Sequence, residues 1–300
     1  MKNRKSEGVL QRLSGGALSS SENSGSIFKR GIAALAQNPE AEACFQRARA
    51  AYKAHNFSEA VLWFRKAADQ EHARAQSNLG LCYAMGKGVT QDDAQAVQWY
   101  RKAAEQGDAE AQYYLGFCYV IGRGVTRDRA QAVMWYRKAA DQGHAQAQSH
   151  LGACYYFGIG VTQDYAQAVL WYGKAADQGQ VAAQTQLGSC YAGGKGVTRD
   201  DAQAVQWLRK AADQGYAEAQ SRLGAWYYFG IGVTENDAQA VMWFRKAADQ
   251  GHAEAQNFLG MCYESGRGVA QDHAQAVMWY RKAADQGHAR AREVLGLPSL

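Results

Sequence analysis

Two adjoining stretches decide the fold: Arg129-Ala-Gln-Ala-Val-Met-Trp-Tyr-Arg-Lys-Ala-Ala-Asp-Gln142-Gly143, and Ala145-Gln-Ala-Gln-Ser-His-Leu-Gly-Ala-Cys-Tyr155. The second places Ala147, Leu151, Cys154 and Tyr155 at i, i+4, i+7 and i+8, which is one face of a helix over 145–157. Gly152 on that helix is expected to let another backbone come close. The loop Gly158-Ile-Gly-Val161 follows. Asp164 and Gln167 then form an Asp-x-x-Gln start signal, in which each side chain can satisfy an orphan backbone N–H. The helix that starts there packs Val169, Tyr172 and Ala176 on one face with Trp171 and Ala175 beside it, and Gly179 is expected to end it in the left-handed conformation.

Outward from this unit, Trp63, Trp99, Trp135, Trp171, Trp207, Trp243 and Trp279 follow one another at intervals of 36 residues. The start signal recurs at Asp92/Gln95, Asp128/Gln131, Asp200/Gln203, Asn236/Gln239 and Asp272/Gln275. Neither helix of a unit buries its apolar face alone, so the units must stack, and internal repetition overrides the two-domain expectation for 300 residues. The first pair, residues 40–54 and 58–70, is joined by the short turn His55-Asn56-Phe57. The last unit is a shortened helix from Ala289 to Leu297 stopped by Pro298, with Arg290, Arg292 and Glu293 suited to a polar end cap. The chain divides into a basic Ser/Gly-rich tail (1–38, expected to be disordered), a capping pair (39–71) and an array of six helix pairs with a terminal helix (72–297).

The formal net charge of +5 is uneven: the tail carries Lys2, Arg4, Lys5, Arg12, Lys29 and Arg30 against Glu7 and Glu22, which leaves the rest nearly neutral. A near-neutral array is a poor footprint for nucleic acid. No apolar run of seven or more follows the basic N-terminus, so no signal peptide and a cytoplasmic chain are expected, with signal-independent export as the alternative. No stretch has the length of a membrane span. Cys82, Cys118, Cys154, Cys190 and Cys262 fill one repeat position, which Trp226 fills in the remaining unit. A site that accepts either residue reads as apolar packing, and stacked units about 10 Å apart are too distant for disulfides between equivalent sites.

Leu-Gly-x-Cys-Tyr, then Gly-x-Gly-Val-x-x-Asp, then Ala-x-x-Trp-Tyr-Arg-Lys-Ala-Ala resembles the Sel1-like repeat family, a relative of the tetratricopeptide repeat, over residues 72–297. The opening pair, with Ala48, Ala60 and Ala67, resembles a tetratricopeptide unit instead. The resemblance implies an all-α, right-handed superhelical solenoid of antiparallel helix pairs whose first helices line a concave groove. It implies a bacterial adaptor that binds protein, including a secreted factor that binds a host protein. One cysteine-rich branch of the family has two cysteines per repeat, disulfides and members described as β-lactamase-like. This chain has one cysteine per unit and departs from that branch.

Comparison of units within the chain separates shared from variable positions. Leu151, Gly152, Tyr155, Trp135 and Ala139 repeat in every full unit and are assigned to packing. The variable positions, read on the stripe 149, 153 and 156 with their neighbours, are assigned to a protein or peptide partner in the groove. The candidate contacts are Tyr113, Tyr114, Phe117, His150, Tyr156, Phe157, Arg222, Tyr228, Phe229, Phe258 and Met261, around a small, polar stretch at Thr185, Gln186, Ser189, Ala192 and Gly193. Tyr156, Phe157, Tyr228 and Phe229 sit at helix ends, and either face the groove or pack under the following loop.

Catalytic and cofactor signals are weak. His72, His144, His252 and His288 share one turn position, read as solvated rather than metal-binding. The Gly-x-Gly-Val loops follow helices and lack either nucleotide fingerprint. Ser26 and Lys29 form Ser-x-x-Lys, but no Lys-Thr-Gly accompanies it. A monomeric scaffold without metal, cofactor or catalytic residues is therefore expected, with a β-lactam or cell-wall enzyme as the alternative.

Overall fold

Caps, apolar faces and glycine terminators all form where the repeat places them. The computed structural model describes residues 38–298. Among these, α1 is Pro39–Lys53, α2 Phe57–Ala68, α3 Ala73–Met85, α4 Asp93–Glu105, α5 Ala109–Ile121, α6 Arg129–Asp141, α7 Ala145–Phe157 and α8 Tyr165–Asp177. The series continues with α9 Val181–Gly193, α10 Asp201–Asp213, α11 Ala217–Phe229, α12 Asp237–Asp249, α13 Ala253–Ser265, α14 His273–Asp285 and α15 Ala289–Val294. No strand occurs among the described residues, and no helix there is long and apolar enough to cross a membrane. The expected tail, with Ser26 and Lys29, lies outside the described residues except for Asn38, which caps α1 by accepting from the Ala41 N–H at 3.1 Å.

The described residues form two compact units. One runs to Cys118 and includes Gly122–Thr126; the other comprises Tyr119–Ile121 and the residues from Arg127 onward. In the first unit α1 packs on α2, α2 on α3 and α3 on α4. In the second, every helix from α6 to α15 packs on the next in sequence, as a helix-pair solenoid requires.

The shared residues make the stack. Leu79, Leu115, Leu151, Leu223 and Leu259 are fully buried, and each such side chain contributes about 1.5–3 kcal/mol. Trp99, Trp135, Trp171, Trp243 and Trp279 are buried on the second helices. The cysteines are buried and free, as the repeat position implies. Gly152 makes room for an aromatic ring rather than a backbone: a Cβ there would lie 2.7 Å from the Tyr172 ring. The second glycine of each loop admits the backbone approach. At Gly160, with φ +70°, a Cβ would lie 2.2 Å from the Arg129 carbonyl oxygen.

Three features differ from the sequence reading. Asp164 accepts from the Gln167 N–H at 3.0 Å as expected, but its own N–H donates to the Tyr155 carbonyl at 3.0 Å. The reciprocal half of the capping box therefore has no orphan donor to satisfy, and the bond instead ties the start of α8 to the end of α7. The turn histidines are not simply solvated. His72, His144, His252 and His288 cap the helices that follow them, each Nδ1 accepting a backbone N–H three residues on. In addition, α15 stops at Val294, short of the expected Leu297, because Gly296 turns the chain at φ +66°.

Candidate partner-binding surface

In α3, α9, α11 and α13 one variable position is buried against a neighbour and the next one is more open. Ser77 in the first unit, and Thr185, Ser221 and Asn257 in the second, are all buried. The stripe expected through position 149 is therefore displaced by one residue: the outward positions are those of 150, 153 and 157.

In the first unit, Tyr113 occupies the inward register. It is half-buried and lies against Tyr114 at 5.3 Å between ring centroids. Tyr114 stacks on the buried Tyr100 at 5.2 Å and 22°, and burial pushes its phenol up to about 12. Of the three candidates there, Phe117 is the exposed one.

In the second unit the helix-end aromatics divide. Tyr228 is 8% exposed and is corrected from candidate contact to packing residue. The Arg267 guanidinium, from the loop after α13, lies 3.7 Å from the Tyr228 ring centroid and donates to the Tyr228 carbonyl at 2.7 Å. Tyr156 is held similarly: the Lys195 ammonium sits 5.0 Å from its ring centroid and donates to its hydroxyl at 2.8 Å. Cation–π contact of this kind contributes about 0.5–1 kcal/mol at exposed sites. The adjoining Phe157 and Phe229 are 60% and 55% exposed.

The remaining candidates rest partly on the core. Phe258 stacks on the buried Phe244 at 4.8 Å and 5°, with Phe229 6.3 Å away. His150 lies 5.3 Å from Tyr136 and bonds through Nδ1 to the Gln146 carbonyl at 2.8 Å. Arg222 pairs with Glu218 at 2.7 Å and donates to Ser189 Oγ at 2.7 Å, so it bridges α11 and α9. Met261 is half-buried, its sulfur 3.7 Å from Asn257 Nδ2. Phe157 and Phe229 hold the outward 157 register, and His150, Arg222 and Phe258 the 150 register, on α7, α11 and α13. No cluster of three or more metal-ligating side chains occurs among the described residues.

The residues that sequence reasoning missed are the loop cations Lys195 and Arg267. Within the second unit their signal is a 39-residue offset: Tyr156 is matched by Lys195 and Tyr228 by Arg267, whereas Ala192 is matched by Ile231. Also missed were Gln148 and its equivalents, identical in every full unit and buried.

Comparison with known proteins agrees with this architecture. The family model described as Sel1 repeat matches residues 41–72, 73–108, 109–144, 145–180, 181–216, 217–252 and 253–288. The opening pair, read above as tetratricopeptide-like, is thus matched by the same model. The structure of c5321, a protective antigen present in uropathogenic Escherichia coli strains and displaying an SLR fold, is 43% identical with a TM-score of 0.81. That alignment covers 87% of this chain and 57% of the antigen, so the chain spans little more than half of that protein. A Sel1 repeat protein from Oxalobacter formigenes is 34% identical with a TM-score of 0.73, over 80% of this chain and 96% of that one. No functionally curated protein matches the chain.

Proposed function

The chain belongs to the Sel1 repeat family, and from that premise we propose that it is a non-catalytic scaffold binding a protein or peptide on the outward side of its first helices. The observation that carries this reading is the division of neighbouring aromatics in the second unit. Tyr156 and Tyr228 are held by loop cations, while Phe157 and Phe229, one residue further, expose most of their rings. The fold does not need those two rings, because Gly193 and Ser265 occupy the same register. Exposed aromatic side chains on a rigid framework are the usual anchors of protein recognition.

Affinity purification with the full chain as bait, and with a Phe157→Ser/Phe229→Ser chain as control, tests the scaffold. A partner retained by the first and lost by the second supports it; a partner retained equally by both contradicts it. Nitrocefin turnover by purified protein would contradict the non-catalytic part.

The likeness to a protective antigen favours a second reading of the setting, in which the scaffold leaves the cell and meets a host protein. Recovery of the chain from culture medium without cell lysis tests it; recovery only from lysed cells contradicts it.

A further inference from the structure

Between the two exposed phenylalanines the middle repeat carries Gly193, and the methylene stem of Lys195 lies alongside it, 3.7 Å from where a Cβ would stand. Apolar, cationic and apolar groups thus succeed one another across α7, α9 and α11. The cations nearby differ in their partners. Arg199 is paired with Asp201, Arg222 with Glu218, and Arg267 with Glu235 and Asp237. Among the described residues Lys195 instead meets the rings of Tyr156 and Tyr165 and the Tyr156 hydroxyl. Among the described residues its ammonium is therefore a positive charge without a carboxylate, set beside Tyr156 in the repeat between those that carry Phe157 and Phe229.

Resting on the scaffold reading above, we propose that this surface takes an extended peptide segment with an Asp or Glu side chain between two apolar ones. The carboxylate meets Lys195, and the flanking apolar side chains meet Phe157 and Phe229. The spacing follows from helix packing. Adjacent first helices packed about 8–10 Å apart put two repeats about 20 Å apart. An extended chain rising about 3.3 Å per residue covers that distance in roughly six residues. A helical segment would need about thirteen residues at 1.5 Å each and would carry a broad apolar stripe, which the single lysine does not match.

The experiment is selection of a random dodecapeptide display library on the full chain, followed by titration of the enriched peptides against point variants. The expected enrichment is two apolar residues about six apart with Asp or Glu between them. Lys195→Glu should weaken such a peptide about tenfold and, used as bait, should enrich Lys or Arg at the centre instead. Lys195→Met, which keeps the stem, should weaken the acidic peptide without reversing the preference. Phe157→Ala or Phe229→Ala should remove the apolar preference at one end.

Binding lost in the phenylalanine variants but unchanged in both lysine variants would overturn the acidic-segment proposal and leave the scaffold reading standing. Binding indifferent to all four variants, or no enrichment at all, would count against the scaffold surface itself.

Discussion

Gln178, in the turn after α8, donates its side-chain N–H to the carboxamide oxygen of Gln148 at 2.7 Å. Gln148 in turn donates to the Ala140 carbonyl near the end of α6 at 3.1 Å. One buried glutamine thus satisfies a helix-end carbonyl of the preceding pair and is itself satisfied by the turn of its own pair. The arrangement repeats as Gln214–Gln184–Ala176, Gln250–Gln220–Ala212 and Gln286–Gln256–Ala248.

Breaking one rung leaves buried polar groups unpaired, at about 1–3 kcal/mol. Gln148→Leu is expected to lower the urea midpoint of unfolding, and Gln148→Glu more so, since it places a carboxylate against the Ala140 carbonyl. Equilibrium urea unfolding followed by circular dichroism checks both. A midpoint unchanged by either substitution would contradict the rung.

Gly152→Ala puts a methyl group 2.7 Å from the Tyr172 ring, where overpacking costs about 1–3 kcal/mol. The chain supplies its own relief: Leu208 stands at the Tyr172 register and leaves 3.1 Å beside Gly188. Gly152→Ala is therefore expected to destabilise more than Gly188→Ala, and Tyr172→Leu to recover part of the loss in a double-mutant cycle.

Gly173 interrupts a tie made elsewhere. Arg65, Arg137, Arg209 and Arg245 donate to the hydroxyls of Tyr83, Tyr155, Tyr227 and Tyr263, each 18 residues on. A Cβ at Gly173 would meet nothing within 4 Å. Gly173→Arg should stabilise by about 1 kcal/mol through helix propensity alone, and by more if it reaches Tyr191. Thermal melting checks it, and a lower melting temperature would contradict it.

Burial pushes the thiols of Cys82, Cys118, Cys154 and Cys190 up to about 11 and that of Cys262 to about 12, from an ordinary 9.0. A folded value above the unfolded one gives stability that is complete below about pH 9 and lost as pH rises through about 11. Buried Tyr100 and Tyr172 act in the same direction. The melting temperature is expected to fall across this window, and Cys154→Ala to flatten the fall while lowering the plateau. At neutral pH the native thiols should resist a maleimide that labels the urea-unfolded chain rapidly.

The repeat, its helix boundaries and its caps were legible because each rests on local chemistry that recurs: Asp164 before Gln167, Gly158 and Gly179 at the ends, and Leu151 with Cys154 on one face. The inward or outward choice between positions 149 and 150 was not. A helical wheel separates them by about 100°, and only the neighbouring repeat decides which of the two it covers. Tyr156 and Tyr228 were read as possible contacts because the cations that hold them lie 39 residues away, beyond any window of local periodicity. His144 and His252 were misread because a cap formed by Nδ1 depends on ring orientation, which spacing does not report.

If Phe157 and Phe229 serve recognition and not the framework, a Phe157→Ala/Phe229→Ala chain shows it most directly. Its melting temperature should stay within about 2 °C of the parent, while its affinity for a selected acidic peptide falls at least about tenfold. A melting temperature lowered as far as by Gly152→Ala, or an affinity equal to the parent's, would contradict the assignment of these two rings to recognition.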